Sequence, residues 1–201
     1  MRFIKNNIWI IIIGLTLLTA SCAKKTEDQK PISDDKTSQS DAPKVVAQVY
    51  PLISAEAPKN GITADFAWDQ NGKQVRFSEF TKGKFVLLNF WGTWCPPCRR
   101  ELPDLEQIAA EIGNKNLVVI GVAMERTTSM TEALSGVSTF WVTNQMNYPV
   151  IIGTGDLFDA YGGIEAVPTT FLINDKGKIV NSIQGARTKA DFDLELNKMM
   201  K

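Results

Sequence analysis

The hydrophobic and polar positions of the chain divide it into three regions. Residues 8–20 form a continuous apolar run, residues 23–60 are mostly polar, and beyond them apolar residues recur at regular spacing. Periodic apolar positions are typical of a folded domain, whereas a polar stretch without them buries too little apolar surface to fold alone. We therefore predict an amino-terminal segment over residues 1–21, a flexible polar tether over residues 22–60 and one folded domain over residues 61–201.

The domain is predicted to begin with a β-hairpin. Residues 66–68 and 75–77 are its strands, and the Asn-Gly pair at 71–72 supplies the positive φ angles of a tight turn. Two continuous apolar runs, 85–91 and 117–123, are typical of strands that are covered on both faces.

Residues 97–112 are predicted to form the first long helix, because apolar residues recur there every three or four positions. A weak strand pattern at 45–53 predicts a short edge strand within the polar tether. The remaining predicted elements are a helix over 131–147, a strand over 149–152, a helix over 156–161, strands over 169–173 and 179–183, and a helix that begins at Thr188. This order predicts an α/β fold with a parallel centre and an antiparallel edge, an architecture that several fold families share.

The apolar run at residues 8–20 follows the basic residues Arg2 and Lys5 and precedes small residues, which is the pattern of a secretory signal peptide. As a helix, these 13 residues would extend about 20 Å, less than the ~30 Å hydrocarbon core of a bilayer. The residues before Cys22 resemble the lipobox of bacterial lipoproteins, except that Thr19 occupies the place of a branched aliphatic residue. The resemblance implies that Cys22 is lipidated and anchors the protein to a membrane. Simple cleaved secretion and an uncleaved anchor stay open.

The composition excludes several classes of site. The chain of 201 residues has 22 basic and 22 acidic side chains, so its net charge gives no reason to expect a nucleic-acid partner. It contains no histidine, which excludes imidazole-based catalysis and imidazole metal ligands. Its three cysteines are too few for a zinc site with four cysteine ligands. We therefore expect neither a bound metal nor a cofactor.

Two of the three cysteines, Cys95 and Cys98, lie where a predicted buried strand passes into the first long helix. Their spacing places the thiols one helical turn apart, within reach of a disulfide, and so small a ring is a poor structural staple. Unpaired N–H groups at the start of a helix stabilise a thiolate, and Pro96 and Pro97 stiffen the turn. We therefore predict a redox pair in which Cys95 is the exposed attacking thiolate and Cys98 the resolving thiol. Half a metal site and a chance pair are the alternatives.

Residues 90–103, which read FWGTWCPPCRRELP, look like the active-site stretch of thioredoxin-fold proteins. More narrowly, they resemble that of the TlpA/ResA-like thiol–disulfide oxidoreductases. Residues 166–173, AVPTTFLI, match a second signature of this family, which contains a cis-proline. The resemblance covers about residues 57–201. It implies a thioredoxin-like fold with a central mixed sheet flanked by helices, an amino-terminal β-hairpin and a helical insertion near residues 127–147.

The resemblance also implies roles for individual residues. Cys95 and Cys98 become the redox-active disulfide pair, and Pro168 becomes the cis-proline that faces them; a proline that only opens an edge strand is the alternative. Trp91 and Trp94 either shield the site and contact substrate or only pack. The residues implied to contact an extended substrate peptide are Trp94, Pro96, Pro97, Pro168 and, through its backbone, Val167.

Glu101 resembles the family glutamate that tunes the thiols and transfers protons near them. The alternative is a glutamate of the first helical turn that favours the helix dipole or pairs with Arg99 or Arg100. Asn89 occupies the position of a buried aspartate in ordinary thioredoxins, which leaves Glu101 as the main carboxylate candidate.

We therefore expect an extracytoplasmic, lipid-anchored thiol–disulfide oxidoreductase that exchanges its cysteine pair with exported protein substrates. The resemblance favours a reductase, for example in cytochrome c maturation, supplied with electrons by a membrane thiol–disulfide donor. A disulfide oxidase or isomerase, a copper-delivery module and a non-catalytic binding lipoprotein stay open. A peroxidase fits less well, because Gly92 occupies the position where its signature needs threonine.

Overall fold

A computed structural model of the chain describes residues 47–111 and 116–201. The predicted signal peptide over residues 1–21, the lipidation site Cys22 and the first part of the predicted tether lie outside the described residues. In neither described stretch is there a helix with both the length and the apolar character that crossing a bilayer requires.

The described residues contain an eight-stranded mixed sheet. In chain order its strands are β1 (Val49–Glu56), β2 (Asp65–Gln70), β3 (Lys73–Arg76), β4 (Phe85–Trp91), β5 (Leu117–Ala123), β6 (Val150–Ile152), β7 (Thr169–Ile173) and β8 (Ile179–Gln184). Their order across the sheet is β3-β2-β1-β6-β5-β4-β7-β8. The four central strands are parallel to one another, and the two strands on either side of them pair antiparallel. The predicted parallel centre is confirmed, and both edges rather than one are antiparallel.

Helices cover both faces of the sheet. In the described residues they are α1 (Phe77–Phe80), α2 (Pro96–Glu111), α3 (Met130–Thr143), α4 (Gly155–Ala160) and α5 (Lys189–Met199). One apolar cluster lies between the sheet and α2, α3 and α5, and a second lies between the sheet and α1 and α4. Leu87 of β4 belongs to the first cluster and its neighbour Leu88 to the second. This burial on both faces explains the unbroken apolar sequence of β4.

Strand β1 corrects the predicted tether, because it lies within residues 22–60 and is part of the sheet. It is not an edge strand either, since β2 and β6 pair with it on opposite sides. Its sequence hides this position because Tyr50 is its one buried residue. Near its end, the Arg76 guanidinium bonds Glu56 at 2.7 Å and Asp65 at 2.8 Å, so ion pairs join β1, β2 and β3 there.

Two other predicted elements end differently in the structure. The hairpin turn is confirmed, with φ of 58° at Asn71 and 82° at Gly72, but Phe77 begins α1 instead of extending the second strand. The predicted helix over 131–147 stops at Thr143, because the next residues close the helix and Gln145 has a φ of 53°. Such a positive φ is incompatible with a continuing right-handed helix.

Candidate active site

The candidate active site lies at the carboxyl end of β4. The parallel strands β4 and β5 end side by side at Trp91 and Ala123, and the Met124 N–H donates to the Trp91 carbonyl oxygen at 2.6 Å. Residues 92–95 then connect β4 to the start of α2. In α/β proteins the carboxyl ends of the strands are where loops form binding and active sites.

Cys95 and Cys98 form a disulfide at this junction, as their spacing predicted. The backbone N–H of Cys98 points at Cys95 Sγ over 3.2 Å. N–H groups in the first turn of a helix stabilise negative charge, so this contact is in place for the thiolate that reduction leaves on Cys95.

The predicted exposure of Cys95 is wrong for the disulfide-bonded state, in which 2% of its surface is accessible. The cause is a loop distant in sequence: the Val167 carbonyl oxygen lies 3.6 Å from Cys95 Sγ. Cys98 is completely buried. The loop that contains Val167 therefore limits access to Cys95 Sγ in the disulfide-bonded state.

The Val167–Pro168 peptide bond is cis, as the family resemblance implied. Pro168 is buried directly before β7, and its carbonyl oxygen accepts a hydrogen bond from the Gly185 N–H at 2.9 Å. Strand β7 pairs with both β4 and β8, so the alternative of a proline that opens an edge strand is wrong. The pairing of β7 with β4 is what brings this loop onto Cys95.

Glu101 is the one carboxylate of the candidate set, and it is 1% exposed. Its Oε1 accepts a hydrogen bond from Asn89 Nδ2 at 2.8 Å, and its Oε2 accepts one from the Arg187 backbone N–H at 3.0 Å. Burial raises the pKa of Glu101 to about 7, while these two hydrogen bonds act in the opposite direction. Within the described residues Glu101 forms no ion pair with Arg99 or Arg100, and the first turn of α2 contains no acidic residue, so both parts of the alternative role of Glu101 are wrong.

Asn89 joins Glu101 to β7, because its Nδ2 also donates to Thr170 Oγ1 at 3.0 Å. Its Oδ1 is buried and has no hydrogen-bond partner in the described part of the chain. Thr170 and Arg187 are not among the site residues predicted from the sequence. Arg187 takes part through its backbone N–H, which carries no side-chain signature that a sequence motif could contain.

A second set of contacts fixes the loop between β4 and α2. Glu125, in the loop after β5, accepts hydrogen bonds from the Thr93 N–H at 2.8 Å and the Thr93 hydroxyl at 2.7 Å. Trp94 donates from Nε1 to the Met124 carbonyl oxygen at 2.7 Å, and the Arg126 guanidinium lies 3.7 Å from the centre of its ring. The sequence analysis missed residues 124–126, whose role depends on β5 lying beside β4.

The two candidate tryptophans have different environments. Trp91 is completely buried and packs against Phe140 of α3, so of its two predicted roles the one that involves substrate contact is wrong. Trp94 is 37% exposed next to Cys95. Pro96 is exposed and Pro97 half-buried at the start of α2, where a bound peptide can contact them.

Within the described residues, no group of three or more cysteine, aspartate and glutamate side chains is arranged to bind a metal ion. The chemistry available at the site is therefore that of the two cysteines, the backbone N–H groups around them and the buried Glu101 carboxyl.

Comparison with known proteins yields thiol–disulfide oxidoreductases among the relatives. The Redoxin family model matches residues 38–196. The chain is 34% identical over 148 residues to a thiol-disulfide oxidoreductase ResA from Bacillus thuringiensis subsp. konkukian. The aligned residues make up 73% of this chain and 78% of the relative.

Two crystal structures extend the comparison to the fold. A thioredoxin-family thiol:disulfide interchange protein from Chlorobium tepidum TLS superposes with a TM-score of 0.62 at 31% identity, over 72% of this chain and 99% of the other. An exposed lipoprotein thioredoxin from Streptococcus pneumoniae superposes with a TM-score of 0.54 at 30% identity, over 67% of this chain and 98% of the other.

These matches confirm the thioredoxin-like α/β fold implied by the two sequence signatures, and they agree with a disulfide placed at the start of α2. The chain belongs to the Redoxin family, and within it to the thiol–disulfide oxidoreductases of the ResA type.

Proposed function

We propose that the protein reduces disulfide bonds of exported proteins outside the cytoplasm, with Cys95 as the nucleophile and Cys98 as the resolving thiol. The observation that carries this assignment of roles is the Cys98 N–H, which points at Cys95 Sγ over 3.2 Å at the start of α2. An N–H in that position stabilises a thiolate on Cys95 rather than on Cys98.

In the first step the reduced protein meets a substrate disulfide. The Cys95 thiolate attacks one substrate sulfur, a mixed disulfide forms, and the other substrate sulfur leaves as a thiolate that takes up a proton. The Val167 carbonyl oxygen, 3.6 Å from Cys95 Sγ, lies where an extended substrate peptide can add its backbone to the loop before β7.

In the second step Cys98 loses its proton and attacks Cys95 Sγ. The Cys95–Cys98 disulfide forms, and the second substrate sulfur leaves as a thiolate and is protonated. The substrate disulfide has then gained two electrons and two protons, and the two cysteines of the protein have been oxidised.

Glu101 is proposed to receive the proton of Cys98 during resolution. It lies one helical turn after Cys98 on α2, and side chains three residues apart are neighbours on a helix surface. A carboxyl group with a pKa of about 7 accepts and returns protons efficiently near neutral pH. The chain has no histidine that could serve instead.

The proposed direction, location and partners rest on the relatives and on the amino-terminal sequence. The relative from Streptococcus pneumoniae is an exposed lipoprotein thioredoxin, which agrees with a signal peptide over residues 1–21 and a lipid anchor on Cys22. An exported reductase has no access to cytosolic reductants, so a membrane thiol–disulfide donor has to reduce its disulfide again. Exported proteins with paired cysteines, such as apocytochromes c, are its proposed substrates.

Insulin reduction tests the activity. Wild-type protein with excess dithiol is expected to reduce insulin, and Cys95→Ser is expected to be inactive; equal rates for the two would exclude the proposed mechanism. Cys98→Ser is expected to retain the first step only and to accumulate mixed disulfides, whose mass identifies the trapped partner. Tight stoichiometric copper binding by the reduced protein would instead indicate metal delivery.

The reduction potential of the Cys95–Cys98 pair tests the direction. We expect a potential below about −220 mV, towards that of thioredoxin at about −270 mV. A potential near −120 mV, as in the strong oxidant DsbA, would indicate a disulfide oxidase instead. For the location, Cys22→Ser is expected to move the protein from the membrane fraction to the soluble fraction, and an unchanged distribution would contradict lipidation.

A further inference from the structure

Arg126 lies directly over the exposed tryptophan of the active site. Its guanidinium carbon is 3.7 Å from the centre of the Trp94 ring, and the ring itself is held by the 2.7 Å hydrogen bond from Nε1 to the Met124 carbonyl oxygen. At this distance the guanidinium is attracted to the face of the indole ring, and its N–H groups can still bind a further partner.

Arg126 is exposed, and it forms no ion pair with any carboxylate of the described residues. The two carboxylate oxygens of its neighbour Glu125 accept hydrogen bonds from Thr93 and form no ion pair with Arg126. The guanidinium is therefore preorganised beside the disulfide with its donors unused in the described structure.

The charges around the cysteine pair are unevenly distributed. Arg126 in the loop after β5 is exposed, as are Arg99 and Arg100 near the start of α2, whereas the exposed acid Glu165 lies in the loop before Val167 and Pro168. Of the nearby acids, Glu101 of α2 is buried in the core, and Glu125 beside Arg126 is half-buried and bonded to Thr93. An approaching peptide thus meets positive charge on the side of Trp94.

We propose that Arg126, supported by the Trp94 ring, is a specificity-determining residue that binds an aspartate or glutamate side chain close to the reacting cysteine of a polypeptide substrate. Trp94 immediately precedes Cys95, so a peptide whose sulfur reaches Cys95 Sγ places its flanking residues over this ring. The planar guanidinium matches a carboxylate through two parallel hydrogen bonds, which a lysine ammonium cannot reproduce.

This role presupposes the thiol–disulfide exchange proposed above, and the test separates the two. Reduced protein is mixed with three peptides that each contain one intramolecular disulfide and differ only in the residues that flank it, which are Asp, Asn or Lys. The second-order rate constant of each peptide is divided by that of 2-hydroxyethyl disulfide, an uncharged small disulfide. This division removes any general effect of a variant on the Cys95 thiolate.

For the wild type we expect the Asp peptide to react about two- to fivefold faster than the Asn peptide, and the Lys peptide to react more slowly, as for a partly exposed ion pair. The Asp preference is expected to disappear in Arg126→Gln, to be reversed in Arg126→Glu, and to be lost in 1 M NaCl, where the Debye length is about 3 Å. Trp94→Leu is expected to weaken the preference although Arg126 is still present, since the support for the guanidinium is gone.

Lys176→Gln is the matched control, because it removes one exposed positive charge at the β7–β8 turn, the opposite end of β7 from Pro168. It is expected to retain the full Asp preference. Equal rates for the Asp and Asn peptides in the wild type, or an Asp preference that survives in Arg126→Gln, would overturn the role of Arg126 alone. Failure of the wild type to reduce any of the four disulfides would overturn the thiol–disulfide exchange and, with it, the role of Arg126.

Discussion

Asn89 on β4 and Glu101 on α2 are joined inside the core by a hydrogen bond of 2.8 Å from Asn89 Nδ2 to Glu101 Oε1. Both residues are buried, and the Asn89 amide has its second donor contact with Thr170. The amide is neutral, so it offers the carboxyl a donor without adding a second negative charge. Burial therefore remains the main influence on Glu101, and it raises the pKa of this group to about 7.

This raised pKa predicts that the oxidised protein becomes less stable as the pH rises. The native Glu101 carboxyl holds its proton up to about pH 7, whereas its ordinary pKa is 4.5, so between these values the native state binds more protons than the unfolded state. The free energy of unfolding should therefore fall from pH 4.5 to above pH 7 by a Glu101 contribution on the order of 3 kcal/mol, at ~1.4 kcal/mol for each pKa unit.

Urea unfolding of disulfide-bonded Glu101→Gln at pH 5, 6, 7 and 8 measures this contribution. In this variant the free energy of unfolding is expected to fall less with rising pH, because the Glu101 contribution is absent. The new amide also changes the stability at any one pH. Glu79→Gln, at an exposed glutamate of α1, is expected to follow the wild-type profile. Parallel profiles for wild type and Glu101→Gln would contradict the raised pKa.

Asn89→Asp is expected to make the protein strongly pH-dependent. Two carboxyl groups at hydrogen-bond distance in a buried site cannot both ionise at low cost, so one of them is kept protonated and titrates late. We expect the loss of stability relative to wild type to be on the order of 2 kcal/mol greater at pH 8 than at pH 5, as measured by urea unfolding of the oxidised protein.

Asn181→Asp is the matched control for this substitution. Asn181 Nδ2 also donates to a glutamate, Glu195, at 2.9 Å, but both residues are half-buried at the surface. Solvent screens two carboxylates there, so the pH-dependent loss should be small. An equal pH dependence for the two variants would show that burial of Asn89 and Glu101 is not the cause.

Gly92→Ala is expected to disturb the active-site loop. A Cβ at Gly92 would lie 2.6 Å from Trp94 Nε1 and 2.9 Å from the Met124 carbonyl oxygen, inside the contact distance of both. Displacement of the indole should cost about 1–3 kcal/mol of stability and change the tryptophan fluorescence of the native protein.

The control for this glycine is Gly136→Ala in α3, where an added Cβ meets no atom within 4 Å. That substitution should stabilise the protein by about 0.5–1 kcal/mol, because alanine favours a helix more than glycine does. Stabilisation by both substitutions would mean that the loop accommodates the extra methyl group.

Thr93→Val should loosen the contact between the loop before α2 and the loop after β5. It removes the hydroxyl donor to Glu125 Oε2 while retaining the shape of the side chain and the backbone hydrogen bond. The expected cost is about 1–2 kcal/mol in the free energy of unfolding, since the bond goes to a charged acceptor.

Thr139→Val is the control, because it removes an exposed helical hydroxyl that is bonded to Ser135. It should change the free energy of unfolding by less than about 0.5 kcal/mol. Equal effects would place the Thr93 bond among ordinary surface contacts.

Several features of this protein could be predicted from the sequence because they are local. The hairpin turn at residues 71–72, the continuous apolar strand β4 and the helix α2 follow from turn chemistry and from the spacing of apolar residues. The disulfide follows from two cysteines one helical turn apart. Strand β1 lies within the predicted tether because its pairing with β2 and β6 leaves little trace in its own residues.

The order of the elements and the redox chemistry follow from the amino-acid sequence alone, since a Cys-Pro-Pro-Cys segment at the start of a helix places both thiols and the N–H groups around them. The surroundings of the two thiols, by contrast, depend on contacts between distant parts of the chain. Along the chain, Glu101 is 12 residues from Asn89 and 86 residues from Arg187, and yet it bonds both. Thr93 and Glu125 are 32 residues apart and are also bonded. These contacts, and the contact between Val167 and Cys95, exist only because β5 and β7 pair with β4 on its two sides. Strand pairing over such long sequence distances is not encoded in the local periodicity of apolar residues.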